Sequence, residues 1–198
     1  MTDFETDPYT IRFRRCADEL QQQGVAALAE LYDLAAPRLA RYAVTLTRNL
    51  DDAEDALQAA FVQIARCPQR LAEARHPWPY LLRVVRNEAL RVVRQRCRNK
   101  APLPDADLAD RWGIPNPGDL ATQSERQEIA ESVNSALNKL PPMQAEVVVL
   151  KIWENMTFAQ IGAVLGTSPN TAASRYRYAL EKLTPLLQPH DAEVLHVS

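Results

Sequence analysis

Glycine is scarce here, five residues in a chain of 198. Loops that cradle phosphates need clusters of glycine, and the five form none. Cysteine is scarcer still: Cys16, Cys67 and Cys97 lie far apart with no CxxC pair. An odd number at such spacing argues against a disulfide framework and for reduced thiols in a cytosolic protein. Cys97 sits among arginines that favour its thiolate, yet reads best as an incidental thiol. His76, His190 and His196 stand at no metal-ligand spacing with any cysteine, so neither a metal nor a cofactor is expected. Ser-His-Asp, Cys-His and HExxH patterns are missing too, which leaves an enzyme reading without a nucleophile or a base. No apolar run approaches the ~20 residues of a membrane helix. The acidic N-terminus does not fit a signal peptide. The expectation is a cytoplasmic chain with no membrane insertion.

What is present is charge, sorted along the chain. The formal net charge is only −2, but its distribution says more about partners than its sum. From Arg75 to Lys100 seven arginines and one lysine face a single acid, Glu88. From Ala101 to Gln127 the sign reverses, with Asp105, Asp107, Asp110, Asp119 and Glu125 against Arg111 and Arg126. The acidic stretch also holds Pro102, Pro104, Pro115 and Pro117 and has little periodicity. It reads as a tether, with Trp112 as an isolated apolar element. Such a tether predicts two domains that move independently until bound.

Abundant Ala, Leu, Arg, Glu and Gln point to helices, and alternating strand-like runs are missing. The fold class expected is all-α, two small helical domains on either side of the tether. A first helix is expected over Ala17–Gln22 and a second over Val25–Thr47, kinked or broken at Pro37. Asn49 to Asp52 reads as a turn ending in an N-cap, followed by a helix from Ala53 to about Arg66. A long basic helix follows from about Pro79 to Arg98. Pro141-Pro142 separates one later helix from three more, over Met143–Asn155, Phe158–Leu165 and Pro169–Leu187.

The sharpest local signal lies between Leu140 and Leu187. Thr157 and Gln160 form a capping box, and Gly166 is suited to the positive φ of a helix C-terminus. Ser168-Pro169 then restarts a helix with a cap and a proline at its first position. Two short helices joined by a tight glycine-containing turn make a helix-turn-helix, whose second helix enters the major groove. Ala172, Tyr176, Ala179, Leu180 and Leu183 fall inward, which leaves Asn170, Thr171, Ser174, Arg175, Arg177 and Tyr178 for DNA. Arg175 or Arg177 has the fork to read guanine bidentately.

The basic helix interleaves aromatics with cations. Arg75, Arg83, Arg86, Arg91 and Arg94 suit phosphates, while Trp78, Tyr80 and Asn87 suit bases that have left the stack. A plain solvated face with Trp78 in the core is the competing reading.

These residues resemble a known family. Asp52-Ala-Glu-Asp-Ala-Leu-Gln-Ala-Ala-Phe61 resembles the DAEDLVQEVF signature of region 2 in extracytoplasmic-function sigma factors. Trp78 to Arg96 is similar to the WLxxIARNxxxDxxR segment that follows it. Leu140–Leu150 and Met156–Leu183 resemble the two halves of region 4. The resemblance implies a transcription-initiation factor that is not itself an enzyme. It divides the chain into an N-terminal extension (1–24), region 2 (25–100), a linker (101–126), region 4 (127–187) and a tail (188–198). Asp52, Asp55, Gln58, Ala59 and Val62 would then bind core RNA polymerase. The basic helix would read and melt the minus-10 element of promoter DNA, and the last helix would read the minus-35 element. An anti-sigma factor is a further partner of the kind the family has. The chain departs from the pattern at Ala59 (usually Glu), Arg91 (Asp), Ala173 (Lys), Tyr176 (Leu) and Tyr178 (Arg). A stand-alone helix-turn-helix regulator, or a sigma-like interaction module that no longer initiates transcription, are the alternatives.

Overall fold

The computed structural model describes residues 7–98 and 132–187, and no strand occurs among them. The tether with Trp112, the tail, His190 and His196 lie outside the described residues.

Helix α1 (Pro8–Gln23) begins well before the expected Ala17. Asp7 caps it by accepting from Thr10 N at 3.2 Å, and Pro8 occupies the first turn. Asp-Pro is a helix-start signal, and Phe13, Cys16, Ala17 and Leu20 then fall on one buried stripe. Cys16 acts here as a small apolar side chain. Helix α2 (Val25–Thr47) runs where expected but without a break, for Pro37 lies on its exposed side. Helix α3 (Leu50–Arg66) starts earlier than expected, because Asn49 and not an aspartate is its cap, accepting from Asp52 N at 2.8 Å. Asp51 and Asp52 sit in the first turn, where carboxylates favour the positive end of the helix dipole. The single turn α4 (Gln69–Ala72) leads to α5 (Pro77–Arg98).

Helix α2 is the spine of this first unit, with Leu31, Ala35, Leu39 and Ala43 fully buried against α1, α3 and α5. Alanines on the buried face let the helices approach closely, and Leu57, Ile64, Leu81, Leu82 and Val85 close the core.

The second unit comprises α6 (helical residues 132–139), α7 (Pro142–Ile152), α8 (Phe158–Leu165) and α9 (Pro169–Leu183). The capping box at Thr157 and Gln160 forms as expected, and Gly166 takes φ +68° at the end of α8. Ser168 caps α9, accepting from Thr171 N at 3.1 Å. Ala145 to Leu150 are all buried, so α7 is covered all round. One side meets α8 and α9 and the other meets α2, while α8 packs on α5. The two units are therefore in contact in this structure, through α7 on α2 and α8 on α5. The physical reason is that α7 carries more apolar surface than its own small domain can bury.

Candidate polymerase and nucleic-acid surfaces

The exposed face of α3 carries Asp55, Gln58 and Val62, with Val62 51% exposed. Leu57, Phe61 and Ile64 occupy the buried side, so these three have no structural duty that competes with a partner. Asp52 is different. Its carboxylate is paired with Arg96, which also donates to the Thr47 carbonyl at 3.0 Å. This clamp ties the start of α3 to the end of α5. A groove of roughly 640 Å³ runs between the two helices, lined by Asp52, Asp55, Gln58, Ala59 and Val62 on one wall and Arg91, Val92, Gln95 and Arg96 on the other. Arg91 thus stands with the α3 set rather than with the aromatic start of α5, and it pairs with Glu88 at 2.7 Å.

Along α5 the predicted nucleic-acid residues separate into two groups. Arg75 (just ahead of the helix), Arg83, Asn87 and Arg94 are exposed, and Tyr80 is half-buried. Trp78 and Arg86 are engaged inside the molecule. Trp78 is only 1% exposed, held edge-on by Tyr9 at 5.1 Å and Phe13 at 5.0 Å between ring centres. A ring so enclosed offers no face for a base, so its assignment to minus-10 binding is corrected: Trp78 is core. Helix α1 is what the sequence reading lacked here, since its aromatic stripe supplies the enclosure.

Arg86 is occupied by a residue from the second unit. Its Nε donates to Glu146 Oε1 at 2.6 Å, and the same oxygen accepts from the Tyr42 hydroxyl at 2.7 Å. Burial works against the Arg86 charge, but the Glu146 carboxylate more than offsets it and holds the guanidinium above its ordinary value. Burial, reinforced by Glu146, pushes the Tyr42 hydroxyl well up. A second carboxylate, Glu154, accepts from Trp78 Nε1 at 3.0 Å and from Arg38 at 3.1 Å. Burial raises Glu154 above the usual carboxylate range even though Arg38 and Arg41 pull the other way. Arg38 also lies over the Tyr9 ring at 3.9 Å and donates to the Trp153 carbonyl. Neither glutamate stood out in the sequence reading. The available signal was Glu146 set directly against the apolar run Val147–Leu150, with Glu154 directly after Trp153.

On the helix-turn-helix, Ala172, Ala179 and Leu183 are buried, and Tyr176 is half-buried against Phe158. Asn170, Thr171 and Ser174 are exposed on the N-terminal half of α9, Arg177 and Tyr178 are exposed just past its middle, and Arg175 is partly covered. Arg177 reaches Glu181 only at 4.0 Å, and both side chains are open to solvent. Gly162, inside α8, was missed by the sequence reading. A Cβ there would meet the Thr167 carbonyl oxygen at 2.7 Å, so only glycine lets the turn fold back against the helix. A lone glycine inside a helical pattern was the clue.

Comparison with known proteins agrees with this division. The family model for Sigma-70 region 2 matches residues 31–99, and that for Sigma-70, region 4 matches residues 127–183. The chain is 30% identical over 168 residues to RNA polymerase sigma factor CarQ of Myxococcus xanthus, covering 85% of this chain and 93% of that protein. It is 30% identical over 174 residues to ECF RNA polymerase sigma factor SigE of Mycolicibacterium smegmatis, covering 87% of this chain and 66% of that one. Among solved structures, the sigma factor RpoE in complex with the anti-sigma factor NepR from Bartonella quintana shares the fold. Its TM-score is 0.62 at 21% identity, over 80% of this chain and 94% of that chain. With both regions matched in order on two helical units, the chain belongs to the extracytoplasmic-function branch of the sigma-70 family of RNA polymerase sigma factors.

Proposed function

We propose that this chain directs core RNA polymerase to promoters through three polar surfaces, on α3, α5 and α9. The exposed face of α3, with Asp55, Gln58 and Val62 beside the α3–α5 groove, receives the polymerase. The exposed arginines of α5 and Asn87 engage the minus-10 element. Asn170, Thr171, Ser174, Arg175, Arg177 and Tyr178 on α9 read the minus-35 element from the major groove. The observation that carries the reading is the presence of both sigma regions, in order, each with its polar face free of core duties. A stand-alone regulator would leave the α3 face without a role.

Chemistry of RNA synthesis belongs to the polymerase in this reading; the chain positions and does not catalyse. Its place is the cytoplasm, and no helix among the described residues is long and apolar enough to cross a membrane. An anti-sigma protein, the partner of the Bartonella relative, fits as a regulator. Run-off transcription with purified core polymerase over a promoter library tests the proposal. A promoter-specific product that requires this chain supports it; product independent of the chain rules it out.

A further inference from the structure

We propose that the groove between α3 and α5 receives one helix of its partner as a knob in a hole, and that Ala59 and Arg91 set which polymerase the chain accepts. The occupant is a helix that drops a bulky apolar side chain over Ala59 and offers an acid to Arg91 and a base to Asp55. The inference rests on the reading of the α3 face as the polymerase surface.

Four observations carry it. First, there is a hole. The groove holds roughly 640 Å³, and its lining is apolar at Ala59, Val62 and Val92. Ala59 puts only a methyl group there, so the space that a longer side chain would fill is open, and Val62 stands exposed at its edge. Such a hole is stabilised by a fitted side chain that excludes its water. Second, the walls are held. Asp52 of α3 is paired with Arg96 of α5, and Arg96 also donates to the Thr47 carbonyl at 3.0 Å. These two charges cancel at one end of the groove and fix its width, so the hole is formed before a partner arrives. Third, the remaining charges are open to a partner. Asp55 enters no ion pair among the described residues, and Arg91 meets only Glu88, one turn back on its own helix, at 2.7 Å. A solvent-exposed pair of that spacing is weak enough for a partner's carboxylate to displace. Asp55 and Arg91 line opposite walls without pairing with each other, so the occupant must bring one charge of each sign. Fourth, positions 59 and 91, two of the places where the chain departs from the family pattern, lie far apart in sequence yet on opposite walls of this one groove. One departure removes an acid and the other turns an acid into a base. Both shift the groove toward positive charge, so both ask the same change of a partner, an added acid.

The test titrates the labelled full chain with core RNA polymerase purified from the same source, for wild type, Ala59→Leu, Ala59→Glu, Arg91→Asp and Arg91→Lys. Helicity and melting point check that each variant is folded. Ala59→Leu fills the hole and should weaken capture roughly tenfold, the effect of overpacking a fitted contact. Ala59→Glu should lose more, because it also sets a carboxylate against the partner's acid. Arg91→Asp should lose roughly tenfold or more, and Arg91→Lys, which keeps the charge, should lose less. The sign at position 59 is decisive. If the departures only cost the chain a contact, Ala59→Glu captures polymerase as well as wild type or better, and the proposal is overturned. It is overturned too if Ala59→Leu binds as wild type does. Should the Ala59 variants melt early, Arg91→Asp at its exposed site carries the test, and unchanged capture rejects the proposal. Gln58→Arg separates the two readings: a loss there beside unaffected Ala59 and Arg91 variants keeps the α3 face as the polymerase surface and rejects the knob. A wild-type chain that core polymerase does not capture sinks the polymerase reading itself, and the inference with it.

Discussion

Arg177 and Arg94 carry the same charge on exposed helix faces but meet different parts of a promoter. Arg177 lies at the middle of α9, and its nearest carboxylate, Glu181, is too distant and too solvated to hold it. Its fork is free to reach a base edge. Replacing it with alanine should cost about 1–3 kcal/mol on the preferred minus-35 sequence and much less on an altered one. Arg94 is exposed beyond the aromatic start of α5. Its loss should weaken binding about equally on all promoters and lower the salt slope by roughly one unit. Holoenzyme binding at several salt concentrations on the two templates measures both. Equal losses for Arg177→Ala on the two templates would remove it from base reading. Trp78 makes the opposite case, a residue whose meaning its environment changes. Enclosed by Tyr9, Phe13 and Arg38, it should behave as core, so Trp78→Ala should cost about 3–5 kcal/mol of stability. A thermal melt decides: an unchanged midpoint with weakened DNA binding would return Trp78 to the nucleic-acid surface.

Among the elements, the helix-turn-helix was the most legible, because its signals are local. A capping box, a positive-φ glycine and a Ser-Pro restart act within a few residues and depend on nothing distant. Its one hidden requirement is the close approach of the turn to Gly162. Gly162→Ala places a methyl against the Thr167 carbonyl and should destabilise region 4 by about 1–3 kcal/mol, the range for overpacking. Binding to a minus-35 duplex should weaken in step with the lowered melting point of region 4. A variant that melts as wild type would show that the turn has room to shift. Helix α1 was legible only in part, since Asp7-Pro8 marks its start but its apolar stripe is thin until Trp78 and α2 supply the other half of the packing.

At the scale of the whole molecule the docked carboxylates make closure sensitive to pH. Glu154 faces Arg38 and Arg41 from α2 and Trp78 from α5, with Tyr9 of α1 close by, and burial still raises it above the ordinary value of 4.5. In the opened chain it is solvated and returns toward that value. A raised acid binds its proton more tightly when docked, so its contribution to closure is full below the ordinary value and is lost as pH rises through the docked one. Docking of the two units should therefore strengthen as pH falls from neutrality toward the ordinary carboxylate range, and Glu154→Gln should abolish the change. Scattering across that range checks it; a dependence that survives in Glu154→Gln would assign it to another group.

Val147-Val148-Val149 shows where the sequence stops deciding. From its pattern alone it belongs to a helix, and so it does, because period and caps are properties of neighbouring residues. The all-helical class, the two regions and the polar face of α9 follow in the same way from local spacing and capping. That α7 is apolar on every side says it needs two partners, but not which. Helix α2 is the second one, more than a hundred residues earlier in the chain. The same holds for Trp78 and Arg86, which read as nucleic-acid residues until α1, Glu146 and Glu154 are brought against them. Local pattern determined the helices and the family. Only tertiary packing decided which of their charges are free, because burial and ion pairing are set by residues the chain brings together from afar.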